Sequence, residues 1–509
     1  MKFRSSAGTR ERWLCVVALL VFAALAVAIP GVFTVVAAST RPHVGGTLRI
    51  ELRERVPTLD PRERPAEAEV ARAQEILDAL VFDRLLRLDD HGDPAPALAM
   101  TWQSEDAGKH WRFELRPGVQ FSDGTPLTAD TAAAALAPEL LLKLGDHAHI
   151  WSAAQSLTIE TEQPMPDLPQ QLATGRNFIY HVAADGKSLA GTGPFVIDHW
   201  DSGASPQQDV FSANTNCWAG RPFVDRLAIS LGVESPRIEA DLEFGLTDAG
   251  ELAPAEMRGA AEHGVRTWSS EPVDLFVLAF DPERPAVQNG RLRQAIATAI
   301  DRNAIANVVL QHQAVPAGAL LPEWISGYAF LFPAGSQVPS PSPAAVVKPP
   351  APLVLVYDSQ DAEARAVAER VIVDLRAAGI AAEALARGIS SAGSASADDV
   401  RLVRVPIAQP APAAALDLVL AALSMPASPA LGAPSSTTPA PAIISESDDP
   451  ESLYAAERAA LADFRVVPLA HASENWGLGA TVRDWMAARW GDLRLEDVWL
   501  DLPPVANPQ

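Results

Sequence analysis

The sequence predicts an α/β protein with at least one stretch of parallel sheet, and three observations carry that reading. An apolar run, an amphipathic stretch and a second apolar run follow one another between residues 353 and 385. Two other segments, 47–52 and 111–116, alternate apolar and polar residues. Two more, 67–87 and 291–310, repeat apolar residues at helical spacing. Period two marks a half-buried strand and period 3.6 a helix that buries one face.

Taken in chain order, Gly45-Gly46 precedes Thr47-Leu48-Arg49-Ile50-Glu51-Leu52, an alternating strand. Glu67 to Arg87 reads as one helix, with Ala73, Ile76, Leu77, Leu80 and Val81 on a single apolar stripe. Trp111-Arg112-Phe113-Glu114-Leu115-Arg116 is a second strand, bounded by turns at Pro117-Gly118 and Ser122-Asp123-Gly124. From Arg291, the residues Leu292, Ala295, Ile296, Ala299 and Ile300 form a helical stripe, and Asp301 is placed to cap a second short helix. Leu353 to Tyr357, Ala362 to Ala378 and Ile380 to Leu385 make a strand, a helix ended by Gly379, and a strand. Such a βαβ unit requires parallel pairing of its two strands. Phe332 to Pro352 and Pro426 to Ala442 are rich in Pro, Ala and Ser and read as surface loops.

With 509 residues the chain is long enough for two or three domains around large cores. Its formal charge of −23 excludes the basic surface that nucleic-acid binding needs. At the amino terminus Lys2, Arg4, Arg10 and Arg12 lead into 26 residues, Trp13 to Ala38, with no charge. Val36-Ala37-Ala38 then offers small residues at the positions a signal peptidase reads. Residues 1–38 are thus either a cleaved export signal or an uncleaved membrane anchor, since the run also suffices to span a bilayer. Either way the rest of the chain is expected outside the cytoplasm, in the periplasm or cell envelope. Cys217 stands alone beyond the leader, so no intrachain disulfide is expected there. Beside Trp218 it reads as core rather than as a reactive thiol.

Catalytic signatures are missing: there is no Gly-x-Ser-x-Gly, no His-Glu-x-x-His, no phosphate loop and no paired-cysteine pattern. Gly191-Thr192-Gly193 is half of a dinucleotide fingerprint, but Pro194-Phe195 follows where a helix should start. His147 and His149 read as a solvated pair, and Asp89, Asp90 and Asp93 around Gly92 as a plain turn. The expectation is no catalytic residue, no cofactor and no metal.

Several blocks, in order, carry a family resemblance. They are Gly45-Gly46-Thr47-Leu48-Arg49, Leu59-Asp60-Pro61, Phe82-Asp83-Arg84-Leu85-Leu86, and Trp111 through Gly118 and Phe121-Ser122-Asp123-Gly124 to Ala129. Gly191-Thr192-Gly193-Pro194-Phe195, Asn214 to Asp225, Arg291 to Arg302, Val467-Pro468-Leu469 and Asp497-Val498-Trp499-Leu500 continue the series. Together they resemble the family 5 extracellular solute-binding proteins, the dipeptide- and oligopeptide-binding subunits of ABC importers. The resemblance implies a two-lobed, periplasmic-binding-protein-like α/β fold of type II, in the peptide-binding class with an extra subdomain in the first lobe. It implies a first lobe assembled from 44–90, 188–268 and 470–509, an extra subdomain at 91–187, and a second lobe at 269–469. A peptide or other small solute enclosed between the lobes, and an ABC permease in the membrane, are the partners it implies. The loop after Leu59-Asp60-Pro61 borders the cleft in this family, which makes Arg64 and Pro65 candidate ligand-binding residues.

The chain departs from the family at one point that bears on the ligand. Peptide-binding members carry a Trp-x-x-Asp-Tyr segment whose aspartate pairs with the ligand's amino group. Here the corresponding run reads Asp417-Leu418-Val419-Leu420-Ala421-Ala422-Leu423-Ser424-Met425, with no acid after Asp417. The expectation is a strand over 417–421 that delivers Leu423, Ser424 and Met425 to the cleft. Without the aspartate, peptides with a free amino terminus are expected to bind weakly, because a desolvated ammonium without a partner is costly. The leading function is therefore a solute-binding importer subunit. The alternative is a membrane-tethered or secreted descendant that serves as a sensor or interaction module.

Overall fold

The computed structural model describes residues 42–63, 65, 68–89, 91–144, 148–183, 185–203, 207–328, 349, 351–388, 398–407, 411–424, 450–487 and 493–501. The leader at 1–38 and most of both Pro-rich stretches lie outside the described residues. Among the described residues no helix is long and apolar enough to cross a membrane.

One 11-stranded mixed sheet organises residues 44–501. Its strands in chain order are β1 (Thr47–Leu52), β2 (Phe195–His199), β3 (Gln207–Ala213), β4 (Arg226–Leu231), β5 (Ala249–Glu251), β6 (Arg266–Phe280), β7 (Ala314–Pro316), β8 (Leu353–Asp358), β9 (Ala382–Arg387), β10 (Val400–Pro406) and β11 (Val466–Leu478). Their order across the sheet is β2-β3-β4-β1-β5-β11-β6-β10-β8-β9, with β7 on β11. The helices that matter below are α1 (Ala68–Val81), α2 (Ala362–Ala377) and α3 (Pro412–Ser424).

The first strand forms where the alternation puts it. Leu48, Ile50 and Leu52 are buried, and β1 runs parallel to β4 from Thr47↔Arg226 to Leu52↔Leu231. The βαβ unit is equally direct: β8 and β9 pair in parallel from Leu353↔Ala382 to Asp358↔Arg387. Asp361 caps the connecting helix by accepting from Ala364 N, and Val367, Ala368, Val371 and Leu375 are buried. Asp301 likewise caps residues 302–304 by accepting from Ala304 N.

Two elements depart from the expectation. The helix expected over 67–87 ends at Val81. Asp83-Arg84 instead pairs with Phe178–Ile179, because Val81 spends its carbonyl on Gly193 N rather than on a further helical turn. The segment 417–421 is helical rather than a strand, lying inside α3. Ala415, Leu416 and Val419 are all buried, a spacing that one helix face satisfies and a pleat does not.

The sheet threads two separate hydrophobic cores. Leu48, Ile50, Leu52, Leu77, Leu227, Leu478, Leu493, Val498 and Leu500 share one, so the first and last described strands meet despite their distance in sequence. Leu275 to Leu278, Phe280, Leu292, Ile296, Leu355, Val371, Leu402, Leu416 and Leu469 share the other. A third cluster, from Leu85 to Ala190, backs a four-stranded antiparallel sheet ordered 99–105, 110–115, 156–160, 149–153. Among the described residues, the long strands β6 and β11 contribute to both principal cores. Arg266 to Ser269 of β6 pairs with Leu478 to Asn475 at the first core, and Asp274 to Ala279 pairs with Ala472 to Val466 at the second. Between those stretches the register shifts on both sides of Pro272, which sits opposite Ser473 but cannot donate to the ladder.

Four of the family-like blocks meet at one joint. The half-buried Asp83 carboxylate accepts from Thr192 Oγ1 at 2.8 Å and Trp218 Nε1 at 2.7 Å. Asn214 Nδ2 donates to Gly193 O at 2.8 Å, and Arg116 lies over the Trp218 ring at 4.5 Å. Gly191 and Gly193 lie against the Val81 carbonyl, where a side chain would collide. The Gly-Thr-Gly run is therefore a site of close backbone approach, not half of a nucleotide loop.

Candidate functional site

Where β6 and β11 cross, a small cavity of about 60 Å³ lies between the two principal cores. Leu52, Arg53, Glu54 and Glu251 line it from the first core, Asp274, Arg404 and Pro406 from the second, with Arg72, Glu474 and Trp476 alongside. The charged residues arrive by ordinary routes. Arg53 and Glu54 continue β1 past its last buried residue, Glu251 ends β5, and Arg404 sits near the end of β10.

Their ion pairs cross the junction. Arg53 Nη1 donates to Glu363 Oε1 at 2.7 Å, and Arg404 Nη1 lies 3.1 Å from Glu363 Oε2. Glu363 stands in the first turn of α2, where the helix dipole also favours a negative charge. Arg404 Nε donates to Asp274 Oδ2 at 3.0 Å, and Arg404 lies over the Phe276 ring. Arg53 N donates to Glu251 Oε2 at 3.1 Å, and Arg72 Nε lies 3.6 Å from Glu474. The Glu363, Asp274 and Asp361 side chains are all under a tenth exposed.

Burial alone would push the Glu363 carboxyl upward, but Arg404 and Arg53 outweigh it and hold the group below the usual carboxylate range. Asp361 goes the other way: burial raises it, although Arg404 opposes the shift. Glu54 is raised by burial and by neighbouring Glu251, against the pull of Arg53 and Arg404.

A larger hollow of about 600 Å³ lies elsewhere, lined by Phe82, Asp83, Arg87, Cys217, Trp218, Arg494 and Glu496 among others. It touches none of the second core's residues and lies beside the Asp83 joint. Cys217 is half-buried there, and burial pushes its thiol up to about 11. Less thiolate means slower alkylation. At pH 8, iodoacetamide is expected to label Cys217 about a hundredfold more slowly in the native chain than after unfolding. Peptide mapping of both states measures that ratio.

Of the residues singled out from sequence, Pro65 is half-buried just after the Leu59-Asp60-Pro61 turn, and Arg64 lies outside the described residues. Leu423 is half-buried and packs against the second core. Ser424 closes α3, and Met425 lies outside the described residues. The residues that do meet at the crossing, Arg53, Glu54, Glu251, Asp274, Glu363 and Arg404, gave no sequence signal beyond being charged. His147 and Asp90 lie outside the described residues, whereas Asp89 accepts from His91 N and Asp93 N as in a plain turn. Among the described residues no group of His, Cys, Asp and Glu is placed to hold a metal ion.

Comparison with known proteins agrees with this geometry. Residues 93–387 match the model of the bacterial extracellular solute-binding proteins, family 5 Middle. The chain is 26% identical over 283 residues to the probable D,D-dipeptide-binding periplasmic protein DdpA of Escherichia coli strain K12, covering 48% of this chain and 52% of that protein. It is 25% identical over 259 residues to the nickel-binding periplasmic protein of the same strain, covering 46% and 48%. The chain thus spans about half the length of the curated relatives it matches. Among solved structures, NikA from Brucella suis superposes with a TM-score of 0.74 at 18% identity, over 89% of this chain and 100% of that one. The oligopeptide-binding protein AppA from Bacillus subtilis superposes with a TM-score of 0.69 at 14% identity, over 90% and 100%. The fold is that of the two-lobed periplasmic binding proteins. With a match that covers more than half of its length, the chain belongs to the family 5 bacterial extracellular solute-binding proteins.

Proposed function

We propose that this chain is the extracytoplasmic receptor of an ABC importer, capturing a small solute between its lobes and binding it without transforming it. The observation that carries this reading is the crossing of β6 and β11, where a cavity and the Arg53–Glu363 ion pair lie between two otherwise separate cores. Two lobes hinged on a pair of strands close by rotation about those strands, and closure reports occupancy to a permease. In this proposal the lobes have the boundaries 44–90, 188–268 and 470–509 for the first and 269–469 for the second, with 91–187 as the extra subdomain. Residues 1–38 deliver the chain to the envelope, as a cleaved signal or as an anchor. Pro65 and the end of α3 at Leu423 and Ser424 border the cleft mouth.

Native mass spectrometry of the full chain, purified from its own cells, tests the reading. One small molecule per chain is the expected result, released on unfolding and accompanied by compaction in small-angle scattering when it is added back. A chain that carries no solute, and whose scattering profile stays unchanged with every solute offered, would instead favour a tethered sensor or interaction module.

A further inference from the structure

The residues at the crossing also carry information about what the cleft accepts, granted that it is the solute site. All three of its arginines are committed to the protein's own acids: Arg53 to Glu363, Arg404 to Asp274 and Glu363, and Arg72 to Glu474. Six carboxylates, those of Glu54, Glu251, Asp274, Asp361, Glu363 and Glu474, surround these three guanidinium groups, so the junction is left with an acidic surplus. Glu54 is the acid without a direct partner, although Arg53 and Arg404 favour its charge from a distance. Its side chain lines the cavity and makes no hydrogen bond or ion pair among the described residues. Burial and the adjacent Glu251 both disfavour its charged form. A half-buried carboxylate beside another acid gains from a cation supplied from outside.

An independent feature lies in the same cavity. Trp476 is 2% exposed, lines the cavity, and its indole N–H has no acceptor among the described residues. Buried indole donors normally find one. At about 60 Å³ the cavity holds no more than a few waters, so a solute enters only when the lobes part and separate Arg53 from Glu363. The chain's formal charge of −23 draws cations toward its surface.

We propose that the cleft selects a solute bearing a compact positive charge, an amine, quaternary ammonium or guanidine group with a hydrogen-bond acceptor beside it, and that Glu54 is the residue that singles it out. The positive group meets Glu54 and Glu251, and the acceptor meets the Trp476 N–H. The acid that recognises the cation thus comes from the end of β1 and not from the 417–425 run, where the family resemblance would place it.

Calorimetry on the full chain tests this with agmatine and choline as cationic probes and succinate and trehalose as anionic and neutral ones. Binding of a cationic probe is expected, weakened at least tenfold by Glu54→Gln. Because glutamine keeps the shape and removes a charge that burial disfavours, this variant is expected to melt no lower than the parent, so a misfolded protein does not confound the loss. Succinate or trehalose binding while both cations fail, or cation binding unmoved by Glu54→Gln, overturns the inference and leaves the receptor reading intact. Failure of all four probes also overturns it, and the receptor reading then falls only if the co-purified chain carries no solute either.

Discussion

Replacing Gly191 by alanine is expected to destabilise the protein by about 4 kcal/mol or to prevent its folding, the largest single effect predicted for a one-carbon change. A Cβ at this position would lie 1.9 Å from the Val81 carbonyl oxygen and 2.8 Å from Phe82 Cδ1. Neither can yield cheaply. The Val81 carbonyl ends α1 and accepts from Gly193 N, and Phe82 is buried in the first core. Relief would require moving the helix terminus or the Gly-Thr-Gly segment, and Thr192 in that segment is fastened to Asp83. Gly118→Ala provides the contrast. Gly118 has φ +77°, but nothing lies within 4 Å of its missing Cβ. Only left-handed backbone strain of about 1 kcal/mol is expected there. Urea denaturation of both variants measures the difference, and equal losses would show that close packing at the Asp83 joint is not what demands glycine at 191.

The second large effect is expected from Arg404→Met, which should cost about 3–5 kcal/mol at pH 7. Its guanidinium answers Asp274 and Glu363, side chains 7% and 9% exposed, and methionine leaves both charges without it. The loss should depend on pH in a defined direction. In the parent, the Glu363 carboxyl is held below its ordinary value, so its contribution to stability is present above the unfolded pKa and disappears as pH falls through the lower folded pKa. Without Arg404, Arg53 alone opposes burial, so that carboxyl rises relative to the parent, takes up a proton at higher pH and sheds a charge that has lost one of its two partners. The gap between parent and variant is therefore expected to narrow as the solution is acidified from pH 7 through the carboxylate range. Paired denaturation curves across that range check this, and a gap that stays constant would mean that lost packing on Phe276, not charge, accounts for the effect.

Which parts of this molecule were legible in advance depends on how far apart the interacting residues stand. The βαβ unit was readable because its information is local. An aspartate cap at 361, a stripe from Val367 to Leu375 and two flanking apolar runs each specify their own geometry. The run at 417–421 reads as a strand from sequence but is helical, because a short apolar segment fits either period until its partners are known. Once Ala415, Leu416 and Val419 are seen to face one core, the helix follows. The end of α1 was misplaced for a related reason. The stripe continues in sequence, but the carbonyl that would extend the helix is taken by Gly193, far along the chain.

The sequence by itself determined the α/β class, the parallel βαβ unit, the lack of catalytic signatures and, through its ordered blocks, the family. Each of these resides in contiguous residues. Only the tertiary structure decided what the blocks do and where the charges of the cleft lie. Asp83, Thr192 and Trp218 become one hydrogen-bonded joint across 135 positions, and Arg53 finds Glu363 across 310. Read along the chain, Arg53, Glu54 and Arg404 look like solvated surface residues. They become a half-buried set between two hydrophobic cores because β1 and β10 end beside the same stretch of β6 and β11. The physical reason is that ion pairing depends on separation and dielectric in space, and neither quantity is encoded in spacing along the sequence.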